Sequence, residues 1–196
     1  MNKSLILLCA FAAVTTWGYA QTSAGSMMVG GTIEFSSQSR EGGSANDGSS
    51  FGFSPSFGYF ISDNLAVGAS LFLGSSRSGT ANVKTTSNYF GLGPFARYYL
   101  FTSNEQFGFF GQASLNFQTG RTDPPFGEVN NTRHISFALQ PGAAYFLNEH
   151  WAIELMITGF VVSSTDPDTD NNDDKVTNVN FGLSSFSPAL GFRYHF

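Results

Sequence analysis

Beyond residue 20 the sequence holds no cysteine. Its single one, Cys9, lies in an N-terminal stretch that reads as a removable leader. A disulfide, a thiolate metal site and a thiolate nucleophile are therefore excluded from the remainder of the chain. Charge is scarce too: 12% of residues are Asp, Glu, Lys or Arg, and the formal net charge is −5. Losing Lys3 with the leader takes this to −6, so there is no basic footprint for nucleic acid. No apolar run after the leader is long enough for a transmembrane helix. No stretch sustains a 3.6-residue periodicity, which argues against a helical bundle. The chain also lacks a phosphate-cradling glycine loop and an HExxH pair.

The leader is "MNKSLILLCAFAAVTTWGYAQ". Lys3 precedes an apolar run from Leu5 to Val14, and Gly18 and Ala20 stand at −3 and −1 of a cut before Gln21. This is the layout of a secretory signal peptide. Leu8 before Cys9, so close to Met1, argues against lipoprotein processing. Residues 1–20 are expected to be removed. Residues 21–196 (196 − 20 = 176 residues) are expected to form one domain.

What the chain has in quantity is phenylalanine and glycine, 22 of each. They fall in segments of period-2 alternation, the mark of half-buried strands. Eight segments are predicted: 27–36, 51–61, 65–74, 88–100, 107–118, 134–146, 151–162 and 178–196. In the third, Leu65, Val67, Ala69, Leu71 and Leu73 oppose Ala66, Gly68, Ser70 and Gly74. In the seventh, Trp151, Ile153, Leu155, Ile157 and Val161 oppose Glu154 and Thr158. The eighth changes parity near "LSSFSP", where Leu183 and Phe186 share a face only with a bulge. Connections alternate between short (62–64, 102–106, 148–150) and long (37–50, 75–87, 119–133, 163–177). Transmembrane barrels have this rhythm, and an even strand count leaves both termini on the short-turn side.

A closed eight-stranded sheet has two options. A soluble lipocalin-like barrel turns its apolar face inward, whereas an outer-membrane barrel turns it toward lipid. The second face here is Gly, Ser, Thr, Gln and Asn with few charges, a poor surface for a soluble protein. Tyr59, Tyr98, Tyr99, Tyr145 and Tyr194, with Trp151, sit beside short turns or the C-terminus, as an interfacial girdle would. The charged residues well inside the strands, Glu34, Arg97, Glu154 and Arg193, all take the small and polar face. Facing lipid, an Arg would cost about 2–4 kcal/mol. Two acids and two arginines sharing a lumen can pair instead, and the predicted site is that lumenal charge network. An eight-stranded lumen is narrow enough for side chains to fill. The expected fold is all-β: an eight-stranded antiparallel up-and-down transmembrane β-barrel.

At "FGYFISDNLAVGASL" (57–71), "GPFARYYLF" (93–101) and the closing "ALGFRYHF", the chain resembles the small bacterial outer-membrane β-barrel proteins. These are the OmpX/OmpA-transmembrane type, the "outer membrane protein beta-barrel domain" group. The resemblance covers the whole of residues 21–196. It implies a Gram-negative outer-membrane location with periplasmic termini and contact with outer-membrane lipid and lipopolysaccharide. It also implies that Leu190, Phe192, Tyr194 and Phe196 form the signal read by the barrel-assembly machinery. No peptidoglycan-binding domain is expected after the barrel, so a wall-anchoring role is not implied.

Two motifs invite a chemical reading. "HIS" at 134–136 with Glu154 resembles the His–Ser–Glu set of lipid A deacylases. Such catalysis needs a hydroxyl beside an imidazole that a carboxylate orients. Phe137 replaces the asparagine of that motif, and His134 and Ser136 take the lumenal face, away from lipid. "DPDTDNNDD" (166–174) could offer calcium the oxygens of Asp166, Asp168 and Asp170. It lacks the central Gly and distal Glu of an EF-hand and reads as a solvated acidic loop. The expectation is a non-enzymatic, monomeric barrel with no cofactor, no metal site and no nucleic-acid partner, whose long loops make surface interactions. The alternatives are a deacylase-like enzyme acting on lipid A, or a narrow channel or binder for small apolar molecules.

Overall fold

The computed structural model describes residues 22–38, 47–80, 83–103, 106–167, 175–181 and 188–196. They form β1 (Met27–Gln38), β2 (Asp47–Ser62), β3 (Leu65–Thr80), β4 (Val83–Phe101) and β5 (Phe107–Asp123). β6 (Asn130–Phe146), β7 (Trp151–Ile157), β8 (Phe160–Asp166), β9 (Val176–Asn180) and β10 (Pro188–His195) follow. Every pairing is antiparallel, and the β5–β6 and β1–β10 pairings close the sheet on itself. β7 and β8 both pair with β6 and are two halves of one barrel strand. β9 pairs with β8, and β10 with β7 and β1, as two parts of the last strand. The result is a closed, eight-stranded up-and-down barrel with no helix among the described residues.

Closure satisfies the backbone where no water can, which is what permits a sheet to cross a bilayer. Its outside is apolar. Ile33, Phe35, Phe57, Leu100, Phe109 and Phe192 are all exposed, and so are Tyr59, Tyr98, Tyr145 and Trp151 near the short turns. Tyr194 packs on Trp151 (5.0 Å between centroids) and Phe196 (5.9 Å) at that same end. Apolar surface on this scale has a partner, here lipid.

The tight turn at Asp63–Asn64 puts Asn64 at φ 65°, a left-handed conformation that asparagine tolerates. Residues 22–26 lie across the short-turn end. Thr22 Oγ1 donates to Asn64 Oδ1 (2.6 Å), and the Gly25 N–H donates to the Phe60 carbonyl (2.9 Å). Met27 and Phe196 exchange backbone hydrogen bonds of 2.7 and 2.9 Å, so both described ends of the chain sit at this end.

Two expectations about connections and faces need correction. Much of the expected long loops is strand. β3 and β4 stay paired to Thr80↔Val83, and β5 and β6 to Thr122↔Asn130. The expected 163–177 loop likewise contains most of β8 and the start of β9. β2 to β6 run 16–19 residues. Spanning takes only about 9–11. The surplus forms polar hairpins whose hydroxyls meet across strands, as Ser36 does with Ser50 (2.7 Å) and Ser87 with Thr122 (2.9 Å).

Val161 also faces the lumen, not lipid. Gly142 lies opposite Met156 but Leu139 opposite Phe160. Gln140 and Pro141 thus oppose three residues, Ile157, Thr158 and Gly159. Pro141 has no N–H to donate, and a Cβ at Gly159 would strike the Leu139 carbonyl and Pro141 Cδ. This bulge reverses the parity of β8, placing Val161 beside lumenal Ala138. The expected slip near "LSSFSP" lies at 182–187, outside the described residues. On either side of it the outward-facing residues are odd-numbered (Val179, Phe181) and then even-numbered (Leu190, Phe192).

Candidate functional site: the barrel lumen

Parity alone turns Arg97 of β4, Glu154 of β7 and Arg193 of β10 inward, and the closed wall brings them together. Arg97 Nη1 lies 2.7 and 2.8 Å from the two Glu154 oxygens. Arg193 Nε lies 2.9 Å from Glu154 Oε2. Arg193 Nη1 donates to Ser56 Oγ at 3.1 Å. Gln112 Oε1 accepts from Arg97 Nε (2.9 Å) and Nη2 (2.7 Å), and the Tyr99 hydroxyl donates to Glu154 Oε1 (2.9 Å). The guanidinium of Arg97 lies 4.1 Å from the centroid of the Phe110 ring. The cluster is buried: Arg97 is 2% exposed, Glu154 3% and Arg193 6%.

Glu34 does not join them. It stands higher on β1, opposite Gly52, exposed and near Tyr89. Tyr89, Tyr99, Gln112 and Ser56 are lumenal residues outside the expected network. Tyr99, expected in the girdle, is wholly buried inside the barrel.

Beside the ion cluster and on its short-turn side, the lumen is an aromatic core. Met28, Phe60, Phe95, Tyr99, Phe110 and Phe146 fill it, with Ala66, Ala144 and Ala152 between them. His195 packs on Phe146 at 5.2 Å and on Phe60 at 5.9 Å. The rings fit because glycines face them across the strands: Phe95 pairs with Gly68, and Phe110 with Gly142. A Cβ at Gly142 would meet the Phe110 ring. The expectation of a small and polar lumenal face therefore fails for this half.

On the long-loop side the lumen is hollow. A cavity of about 710 Å³ stands over the ion cluster, walled by serines and amides such as Ser70, Asn116 and Gln118, with Glu34 and Tyr89 above.

The family described as "Outer membrane protein beta-barrel domain" matches residues 6–185. The chain belongs to this outer-membrane β-barrel family. No curated relative matches the sequence. Among solved structures it is similar to the outer membrane protein OprG from Pseudomonas aeruginosa, at 16% identity and a TM-score of 0.50. That likeness covers 91% of this chain and 99% of OprG. It is also similar to Neisserial surface protein A (14% identity, TM-score 0.48, 88% of this chain and 98% of that one). At 16% identity the likeness to OprG is one of fold.

In this outer-membrane barrel the suspected catalytic set is dispersed. Ser136 lies opposite Ser163 and accepts from Asn116 Nδ2 (3.3 Å), while His134 Nδ1 bonds with Thr165 Oγ1 (2.8 Å). Glu154 lies opposite Ala144, eight residues from Ser136 along β6, or about 26 Å. Among the described residues no three His, Cys, Asp or Glu cluster as a metal site would need. Asp168 and Asp170 lie outside those residues. Leu190 and Phe192 project outward and exposed on β10, with Tyr194 and Phe196 in the girdle at its end.

Proposed function

We propose that this barrel is a closed-lumen surface protein of the bacterial outer membrane. Its role is structural and interactive, and its contacts are made by the hairpins and loops of the long-loop end. The filled lower lumen carries this reading: an ion cluster and an aromatic core stand in series across it, which opposes passage of solutes. The dispersal of His134, Ser136 and Glu154 weighs against the lipid A-modifying alternative. In this reading the termini are periplasmic, the leader is removed on export, and the monomeric barrel sits in lipid and lipopolysaccharide. Leu190, Phe192, Tyr194 and Phe196 serve the barrel-assembly machinery. The test is conductance of the refolded barrel in planar bilayers. No unitary current steps are expected. Regular steps that vanish with boiled protein would replace this reading with a channel.

A further inference from the structure

The floor of the upper cavity is electrically unbalanced. Two guanidiniums, Arg97 and Arg193, share one carboxylate, Glu154, so the buried cluster carries a net charge of +1. Charge in a water-poor site is costly unless it is paired. The other lumenal carboxylate among the described residues, Glu34, is too distant. It lies four residues along β1 from Gly30, the partner of Arg193, or about 13 Å. Arg193 is more than nine-tenths buried, lines the cavity, and shares its one carboxylate with Arg97.

The cavity has the volume of a small-molecule site, about 710 Å³. It also reaches the barrel's outside. The last β1–β10 pair is Gly31↔Phe192. Beyond it, Ile33, Phe35 and Leu190, exposed on the lipid side, line the same cavity. A polar cup with a cationic floor is thereby joined to an apolar flank between β1 and β10.

The geometry points to a binding site for a single-chain amphiphile with an anionic head. The head sits over Arg193 among Ser54, Ser56 and Ser70, and neutralises the floor. The chain leaves past Ile33, Phe35 and Leu190 toward the bilayer. No bond is made or broken. The site goes beyond the surface role proposed above and does not depend on it, because it is formed by strands and not by loops.

The barrel, refolded in phosphatidylcholine vesicles, is titrated with hexadecanoate carrying a ¹³C-labelled carboxyl group. A protein-bound carboxyl resonance, distinct from the vesicle pool and saturating at one per barrel, is expected. Arg193→Gln should lower the affinity at least tenfold. Ser70→Phe fills the cup and keeps every charge, so it should abolish the resonance; it decides the matter if Arg193→Gln does not fold, folding being judged by heat-modifiable migration. Unlabelled hexadecanol should compete poorly, and so should butanoate. No saturable resonance in the parent protein, or one that persists in Ser70→Phe, overturns the site. Equal competition by hexadecanol overturns the anionic head, and equal competition by butanoate overturns the chain path. A barrel that conducts ions yet binds hexadecanoate would refute only the closed-lumen reading.

Discussion

Glu154→Gln isolates the ionic cluster with the smallest change of shape. The substitution keeps the volume and removes the charge. It leaves Arg97 and Arg193 facing one another with no carboxylate between them, at 2% and 6% exposure. It also weakens the acceptor of the Tyr99 hydroxyl and of both Arg97 contacts. Removing one partner from a buried ionic group costs about 3–5 kcal/mol, because the remaining charge has no compensation. With a urea slope of about 2 kcal/mol/M, the unfolding midpoint should fall by about 1.5–2.5 M. Tyr99→Phe, which deletes one hydrogen bond to the carboxylate, should cost less, about 1.5–3 kcal/mol. The assay is urea titration in vesicles followed by fluorescence of Trp151, the single tryptophan after residue 20, which packs against Tyr194 in the girdle. A loss for Glu154→Gln below about 0.5 kcal/mol, the size of an exposed pair, would mean that water reaches the cluster. The account of a filled lower lumen would then fail.

Three further outcomes are expected. Gly74→Leu should destabilise the barrel by about 1–3 kcal/mol through overpacking, since any Cβ there meets the Tyr89 ring; the added substitution Tyr89→Ala should recover most of that loss in the same titration. Deleting Phe196 should lower the amount of heat-modifiable protein in outer-membrane fractions while leaving export to the periplasm intact, and equal insertion would refute the assembly-signal reading. His134→Ala and Ser136→Ala should leave lipid A acylation patterns unchanged in mass spectra; loss of a deacylated species in either variant would restore the enzymatic alternative.

The faces of the strands that carry the ion cluster were legible in the sequence, because a charge in lipid is costly. Arg97, Glu154 and Arg193 could be turned inward on that ground alone. The face of β8 could not be read, because the bulge at Gln140–Pro141 reverses its parity. Height along the barrel was not legible. Glu34 has the right parity and the wrong level, since level depends on tilt and stagger, which alternation does not record. The inner aromatics were hidden for a related reason. At Tyr98–Tyr99 and Phe109–Phe110 adjacent rings occupy both faces, so the pattern looks apolar without indicating a second core. The signal that could have found them is the glycine opposite: Gly68 for Phe95 and Gly142 for Phe110. The polar hairpins escaped because Ser/Thr alternation has little hydrophobic contrast, though hydroxyl pairs hold a strand ladder well.

The glycine-backed aromatic core gives this barrel a solid base under a hollow rim. Such a base is held by contacts that do not involve the bilayer, so it resembles the interior of a water-soluble protein enclosed by a lipid-facing shell. Strength is therefore concentrated at one end of the molecule. Changes of length or composition at the other end, in the hairpins and at the cup, leave the closure of the cylinder untouched. A lineage could exchange what its rim recognises many times over while inheriting the same stopper.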